Sequence, residues 1–542
     1  MSPVYLNSQP IDGARDKTLF EYADELSVRV PTSCGRNGKC HECIVEIRKG
    51  GDALSQPTEA ESFLTKNYRL ACQTYVNEIE KVVDFSVLRR QPKILTAGTD
   101  VNTNISPAVV RDGNNVIYNN GESSKIIDIY RGSILGLAID IGTTTVVINL
   151  VDLESGEIIH TSSFENPQRF GGSDIMNRIS YDGGKYAGEL QAVLVSSINF
   201  EIGEMVKIKK IRRNQIYEIV AVGNTTMRDI FLGLNVQTIG VKPYKSITEF
   251  EMIDDKRPHT AITVTAKSLG LRINRNGMVY TGPLISSHLG SDTSANLLTI
   301  DAEHQKDPFL LVDVGTNTEV VFGCSDRYIA ASCPAGPAFE GGEITFGMPG
   351  YGGAIEHITV DPNSPNTIEV IDNVDPVGIC GSGLIDLIAG LRKNNMMNEL
   401  GVFYDKSSHY QFSEVNNLTI SRRDLSALSQ AKAANYCGQA LVIRESGFKL
   451  NEISNLFLAG GFANYIDVHN AIEIGFIAGI SPNQVKKIGN ASLVGARLML
   501  LSLQSRQKLE RFVSTVEHIE LETVPDFFDF FVEGCQFKPM EI

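Results

Sequence analysis

Four cysteines stand close together near the start of the chain: Cys34, Cys40, Cys43 and Cys72, separated by five, two and twenty-eight residues. Three thiols within ten residues must come from one loop wrapped around a metal centre. Gly35 and Gly38 permit the left-handed turns that such wrapping needs. They also leave backbone N–H groups free to donate toward sulfur, one lever on the potential of an iron–sulfur cluster. Iron–sulfur ligation is the reading this spacing favours. A four-cysteine zinc site stays open, although such sites usually show two separated Cys-x-x-Cys pairs, and only Cys40 and Cys43 make one here. A redox-active Cys-x-x-Cys also stays open, but it leaves Cys34 and Cys72 without a role. His41 reads as a solvent-facing side chain rather than a ligand. The other five cysteines are scattered, and an odd total of nine argues against a disulfide framework. Cys333 and Cys380 read as small buried hydrophobes.

A second chemistry is written twice. Residues 134–145 run through an apolar stretch into Asp140-Ile-Gly142-Thr143-Thr144-Thr145, and residues 309–319 do the same into Asp313-Val-Gly315-Thr316-Asn317, with the two aspartates 173 residues apart. Glycine in a tight turn lets the backbone approach a phosphate, and successive N–H groups form an anion-binding nest. Threonine hydroxyls add donors. An aspartate supplies oxygen to Mg²⁺ or orients the attacking water. One Asp-x-Gly-Thr is a weak signal, since hairpin turns favour these residues. Two at half-molecule spacing are far less easily accidental. Further on, Leu456-Phe-Leu-Ala-Gly460-Gly461-Phe462 reads as a strand whose paired glycines let the chain pass close to a flat ligand such as a purine. Small residues in Gly489-Asn-Ala-Ser-Leu-Val-Gly495-Ala496 allow helices to approach closely at a hinge. No Walker A and no Gly-x-Gly-x-x-Gly sequence occurs, which removes the two commonest nucleotide sites.

These residues need strands to carry them. Ile44–Ile47 reads as a strand after the cysteine loop, ending at Gly50-Gly51, and the apolar runs before Asp140 and Asp313 read as buried strands. The 542 residues allow three or four compact units. With 42% apolar and 21% charged residues, the composition is that of a globular chain. A net charge of −15 disfavours nucleic-acid and anionic-membrane binding. The basic run Lys207–Arg213 reads as a solvated helix end. No secretory signal and no 18-residue apolar span is visible, so a cytoplasmic location is expected.

The cysteine pattern resembles ferredoxin-type 2Fe–2S domains, with five residues in the first gap as in the adrenodoxin-like branch rather than the four of the plant type. In order, the phosphate and glycine motifs resemble the phosphate-1, phosphate-2, adenosine and connecting motifs of the acetate/sugar kinase, heat-shock chaperone and actin superfamily. Further segments complete a likeness over nearly the whole chain: Asn166-Pro-Gln168, Gly172-Ser-Asp174 with Arg178, Val222–Met227, Gly290-Ser-Asp-Thr293, Ala335–Gly341 and Gly378–Gly383. Together they resemble the reductive activators of corrinoid proteins, although the connection after the ferredoxin part is shorter than in that family's pattern.

The resemblance implies an α/β and α+β multidomain protein, with a β-grasp ferredoxin-like domain at 1–88, a linker with some local structure at 89–132, and a two-lobed actin/sugar-kinase-like ATPase at 133–305 and 306–542. Cys34, Cys40, Cys43 and Cys72 are then the 2Fe–2S ligands, and Asp140 and Asp313 the catalytic residues flanking Mg-ATP. Gly142, Thr143, Thr144, Thr145, Gly315, Thr316, Asn317, Gly460, Gly461 and Phe462 line the nucleotide. The implied activity is ATP-dependent transfer of one electron to a Co(II) corrinoid protein, regenerating Co(I) for methyl transfer. An external low-potential electron donor loads the cluster, a homodimer is the assembly expected, and neither nucleic acid nor membrane is a partner. Two alternatives from other classes are an ATP-driven activator of another low-potential enzyme, and a metabolite kinase with an accessory redox domain.

Overall fold

The computed structural model describes residues 4–7, 9–65, 67–88, 104–461 and 463–541. Residues 89–103, the first part of the stretch read as a linker, and Phe462 lie outside the described residues.

The N-terminal part is a five-stranded sheet with one helix, a β-grasp arrangement. Its strands are β1 (Val4–Leu6), β2 (Gln9–Ile11), β3 (Ile44–Lys49), β4 (Tyr68–Leu70) and β5 (Val83–Val87). They lie in the order β2-β1-β5-β3-β4, and β1 and β5 run parallel. Helix α1 (Leu19–Glu25) starts at Thr18, whose hydroxyl accepts from the Glu21 N–H while the Glu21 carboxylate takes the Thr18 N–H. This reciprocal cap satisfies two donors that the first helical turn otherwise leaves bare. The cysteine loop spans the gap between α1 and β3, and Cys72 lies just past β4, after Ala71.

Residues 109–129, inside the stretch read as a linker with some local structure, form an antiparallel meander of β6 (Val109–Asp112), β7 (Asn115–Asn119) and β8 (Ser124–Ile129). Val109, Val116 and Ile127 are buried in a core that also takes Ile134, Leu153 and Tyr217.

The remainder contains two six-stranded sheets built on one plan. The first has β9 (Leu135–Ile141), β10 (Thr145–Asp152), β11 (Ile158–Glu165), β12 (Ile216–Val222), β13 (Ile262–Thr265) and β14 (Met278–Thr281), in the order β11-β10-β9-β12-β14-β13. Helices α2 (Glu189–Lys209) and α3 (Ser291–Thr299) belong to the same stretch. The second has β15 (Phe309–Val314), β16 (Thr318–Cys324), β17 (Arg327–Cys333), β18 (Asn455–Ala459), β19 (Val485–Gly489) and β20 (Val516–His518), in the order β19-β18-β15-β16-β17-β20. Its helices include α4 (Arg422–Ser446) and α5 (Ala491–Leu501).

In each sheet an antiparallel three-strand meander meets a parallel neighbour at its first strand, β9 with β12 and β15 with β18. The first strands are buried along nearly their whole length. Strands covered on both faces read as continuous apolar runs, which is why Leu135–Ile141 and Phe309–Val314 stood out in the sequence. All eleven residues of α5 are buried, as a helix apolar all round must be. It crosses α3 so closely that a methyl on Gly495 would collide with the Ala295 carbonyl. Helix α5 thus comes from the second half of the sequence and packs on the first sheet.

The ferredoxin-like part is docked on the first lobe. Its core is continuous with the one beneath α2. The seam is bridged by Arg29 to Glu204 (2.5 Å), Ser196 to Glu42 (2.5 Å), His41 Nδ1 to Glu189 (3.0 Å) and the Tyr181 hydroxyl to the Phe63 carbonyl (2.6 Å). Thr65 also donates to the Phe170 carbonyl.

Candidate functional site

Each first hairpin ends in its Asp-x-Gly-Thr turn, and the two turns face one another across a cavity of about 180 Å³. Asp140, Gly142, Thr143, Thr144 and Thr145 line it from one side, Asp313, Gly315, Thr316 and Asn317 from the other, and Gly460 and Gly461 close a third edge. Gly460 has φ +111° and lies against the Val314 carbonyl, where a side chain would clash. Every nucleotide residue named from the sequence is therefore brought to one cavity, except Phe462, which is outside the described residues.

Three further carboxylates line the same cavity, Asp292, Glu319 and Glu340, and sequence reasoning assigned no role to any of them. Each lies inside a segment that drew attention for its glycines or threonines. An acidic residue embedded in such a segment is the signal that could have marked it.

The two aspartates are each held by an asparagine amide: Asn490 Nδ2 donates to Asp140 (3.0 Å) and Asn296 Nδ2 to Asp313 (2.5 Å). Burial pushes the Asp140 carboxyl up to about 6, and the nearby charge of Asp313 adds to the shift, against the hydrogen bonds from Asn490 and Ser492. Burial raises Asp313 likewise, against the bond from Asn296. Asp292 goes further, to about 8, through burial and then repulsion from Asp313 and Asp140. Glu319 is raised by burial and by Asp292 and Asp313. Carboxylates this crowded cannot all ionise without a compensating cation. The cavity is thus electrostatically prepared for a divalent ion, and Mg²⁺ suits carboxylates combined with phosphate oxygens and retained waters.

Glu340 spans the cavity. Its Oε2 accepts from Thr144 (2.8 Å) of the first turn and Thr316 (2.6 Å) of the second, and the two hydroxyls are 3.1 Å apart. A second bridge joins the Tyr351 hydroxyl to Glu165 (2.5 Å), which also pairs with Arg169 (2.9 Å).

Behind the first turn lies Arg178, wholly buried. It donates to the Thr143 carbonyl (2.6 Å), the Gly172 carbonyl (3.1 Å) and Gln168 Oε1 (3.3 Å). Burial lowers its guanidinium to about 9, with Arg169 repelling it further. Asn166 Nδ2 donates to the Gly142 carbonyl (2.9 Å). The segments 166–168 and 172–178, singled out in the sequence without a role, thus brace the first phosphate-type turn from behind.

The cysteine loop brings its four thiols together as two pairs. The Cys34 and Cys40 thiols face one another, as do those of Cys43 and Cys72. Gly35 and Gly38 have φ +68° and +79°, the left-handed turns read from the sequence. Backbone N–H groups of Cys40, Asn37 and Lys39 point at Cys34, and that of Gly38 at Cys72. Burial opposes ionisation of Cys34, yet these donors bring it down to about 7. Cys72 falls to about 6 through the Cys43 thiol, against burial, with Gln73 Nε2 adding a bond at 3.3 Å. Cys43 is pushed up by its hydrogen bond to Cys72 and by burial. His41, read as solvent-facing, instead stacks on Phe63 (4.1 Å) while binding Glu189. Aromatic stacking and a carboxylate partner hold it at the domain seam.

Among the described residues, no group of three or more His, Cys, Asp and Glu side chains is arranged to hold a single metal ion. Two thiol pairs fit a two-iron cluster, in which each iron takes two protein ligands, better than one tetrahedral zinc. Cys333 and Cys380 are buried, as their reading as small hydrophobes expects. No helix among the described residues is long and apolar enough to cross a membrane.

Fold and sites together define a two-lobed ATPase of the actin and sugar-kinase type with a ferredoxin-like domain docked on its first lobe. Three family models match the chain consecutively: the 2Fe–2S iron–sulfur cluster binding domain over residues 5–77, the RACo middle region over 135–305, and the C-terminal ASKHA domain of RACo over 307–542. The chain belongs to the RACo family, the reductive activators of corrinoid proteins. It is 29% identical to the corrinoid activation enzyme RamQ of Eubacterium limosum, over 98% of both chains. It is 25% identical to a Methanosarcina barkeri Co(II) methylated amine-specific corrinoid protein reductase, covering 73% of this chain and 76% of that protein. A solved reductive activator for corrinoid, iron–sulfur protein superposes with a TM-score of 0.73 at 26% identity, over 100% of this chain and 99% of the other.

Proposed function

We propose that this protein reductively activates a corrinoid protein at the expense of ATP, delivering one electron to a Co(II) corrinoid substrate and so regenerating the Co(I) form that accepts methyl groups. The observation that carries the reading is the joining, in one chain, of a paired-thiol loop and a carboxylate-lined nucleotide cleft, with the domain bearing the first docked on the lobe bearing half of the second. A 2Fe–2S cluster, when bound by Cys34, Cys40, Cys43 and Cys72, supplies a one-electron couple.

An uphill one-electron step loses a factor of ten in equilibrium constant for each ~59 mV, and the nucleotide cleft is the element able to offset that. Asp140 and Asp313 would hold Mg²⁺ and orient the attacking water, while the turns Gly142 to Thr145 and Gly315 to Asn317 would grip the phosphates. Gly460 and Gly461 would sit beside the base. Glu340, now bonded to Thr144 and Thr316, gives up those hydroxyls to the phosphates, so the nucleotide replaces an existing link between the lobes. The working division is a redox domain at 1–88, a connection at 89–132 and lobes at 133–305 and 306–542. An external low-potential donor reloads the protein in the cytoplasm, where it works as a homodimer.

The test is a corrinoid reduction assay. With reductant, the cognate corrinoid protein in its Co(II) state and Mg-ATP, the intact protein yields Co(I), seen as a new visible absorption band. Without ATP, Co(II) persists, and a Cys72→Ser variant fails under both conditions. Full-rate reduction without nucleotide overturns the reading. So does stoichiometric zinc without acid-labile sulfide in protein purified anaerobically.

A further inference from the structure

The basic run Lys207-Ile-Lys-Lys-Ile-Arg-Arg213 looked like a solvated helix end. In the structure it closes one side of a groove of about 320 Å³ along the seam between the ferredoxin-like domain and the first lobe. The groove is lined by Arg29, Lys207, Arg213 and Arg272, with Ser33 and Glu42 on the cysteine loop. Ser33 adjoins Cys34 and Glu42 adjoins Cys43, so one end of the groove borders both thiol pairs.

Its charge is unusual for a chain at −15. Two carboxylates line it beside the four cations, so the groove stays net positive. Glu204 is shared between Arg29 (2.5 Å) and Lys207 (2.9 Å). Glu42 is occupied by the hydroxyls of Ser33 (2.6 Å) and Ser196 (2.5 Å). Arg213 spends its guanidinium on the backbone carbonyls of Asn199 (2.8 Å) and Arg272 (3.1 Å), which leaves its charge uncompensated. Lys209, Lys210 and Arg212 extend the positive face outward, all exposed.

We infer that this seam groove is the docking site of the electron donor, and that the donor is an acidic one-electron carrier protein. This rests on the reading of the chain as a reductive activator. Charge complementarity sets the sign of the partner, since steering acts between opposite potentials. The construction of the groove selects the donor over the corrinoid substrate. All its residues come from the ferredoxin-like domain and the first lobe, so closure of the second lobe leaves it unchanged. A partner whose affinity follows lobe closure must touch something that differs between the two states, and no residue of the second lobe lines this groove. A donor that reloads the protein before each ATP cycle requires such indifference. The step is one electron leaving the reduced carrier and one entering this protein, with no bond made and no proton moved.

The experiment is calorimetric titration of the intact holoprotein with an acidic flavodoxin, used oxidised so that no electron moves. Saturable binding is expected at low salt, weakening as salt rises, and unchanged by Mg-ATP. Lys207→Glu/Arg272→Glu should weaken it about tenfold. Lys406→Glu/Lys449→Glu, the same charge change on exposed positions of the second lobe, should leave it intact. No binding by wild type, equal weakening by both variants, or an ATP-dependent affinity would overturn the proposal. So would a groove variant that loses the corrinoid partner while keeping flavodoxin. Failure of wild type to form Co(I) with a chemical reductant and ATP, with flavodoxin still binding, would instead sink the proposed function and spare the docking site.

Discussion

The two Asp-x-Gly-Thr hairpins are near copies in backbone and opposites in what stands behind them. Both pair a buried strand with its antiparallel neighbour, and both fix their aspartate with an asparagine amide. Even the sources of those amides mirror each other: Asn490, late in the sequence, serves the first lobe, and Asn296, from α3, serves the second. Behind the first turn, however, stands a buried arginine bonded to the Thr143 carbonyl, and the segment it braces touches the ferredoxin-like domain through Phe170. At the second turn the Gly336 N–H donates to the Thr316 carbonyl, and Glu340 reaches from Thr316 back across the cleft. The proposed grip on phosphates needs two equivalent turns. A link to the redox domain needs only one, and the fold has put it on the first lobe.

The equivalence makes the largest prediction. Asp140→Ala and Asp313→Ala should each lower ATP turnover by about 10²–10³, measured as phosphate release. The visible absorption of the iron–sulfur centre should be untouched, because the cysteine loop contributes nothing to the cleft. Near-wild-type turnover in one variant alone would break the symmetry of the pair.

The asymmetry makes the second. Arg178→Met orphans the carbonyls of Thr143 and Gly172, and each buried unsatisfied group costs about 1–3 kcal/mol. Unfolding by denaturant should shift accordingly, and hydrogen exchange should rise through 166–172 and at the Thr65 contact. Glu340→Ala on the opposite side should cost less, since the two threonine hydroxyls it releases already lie 3.1 Å apart. Equal costs, or exchange confined to the cleft, would show that the bracing is local and does not reach the seam.

Much of this was legible in the sequence because it is encoded locally. The cysteine spacing, the glycines that turn the loop and the Asp-x-Gly-Thr repeats are short-range patterns with a chemical reason for each residue. The apolar runs before Asp140 and Asp313 announced buried strands because both of their faces are covered. What escaped is encoded at long range. Asp292 and Glu340 join the cleft only when α3 and the 338–340 turn fold against it. Helix α5 packs on the sheet of the other half of the sequence, which no periodicity announces. His41 looked solvent-facing because its stacking partner, Phe63, and its carboxylate, Glu189, lie far along the chain.

The crowded carboxylates give a third prediction, on pH. Asp140 titrates near 6 and Asp292 near 8 in the fold, against about 3.9 for an unfolded aspartate. Between about 4 and 8 the native state therefore holds protons that the unfolded chain has released. Stability falls as pH rises wherever the native state binds more protons. The nucleotide-free protein should thus lose thermal stability from pH 5 to pH 8, and Asp292→Asn should flatten that slope. Mg-ATP should flatten it too, with protons released on binding that calorimetry in buffers of different ionisation heat can count. A slope of the opposite sign would mean that the cleft is already neutralised.

The smallest effect tests the hinge between the hairpins most sharply. Thr144 and Thr316 donate to the same Glu340 oxygen, so each hydroxyl contributes one ordinary hydrogen bond, about 0.5–1.5 kcal/mol net. If the turns are equivalent at the phosphates, Thr144→Ala and Thr316→Ala should weaken ATP binding by similar factors, roughly two- to tenfold. Their shared acceptor makes them neighbours in one network, and neighbours are not additive. In the free protein, removing the first hydroxyl strains the link between the lobes and removing the second completes the loss, so the unfolding cost of the double variant should fall short of the sum. In the ATP complex each hydroxyl faces phosphate instead of Glu340, and the coupling should shrink. A double-mutant cycle measured with and without nucleotide reads that change directly. The same coupling in both states would mean that Glu340 keeps both threonines throughout and that the nucleotide does not replace the link across the cleft.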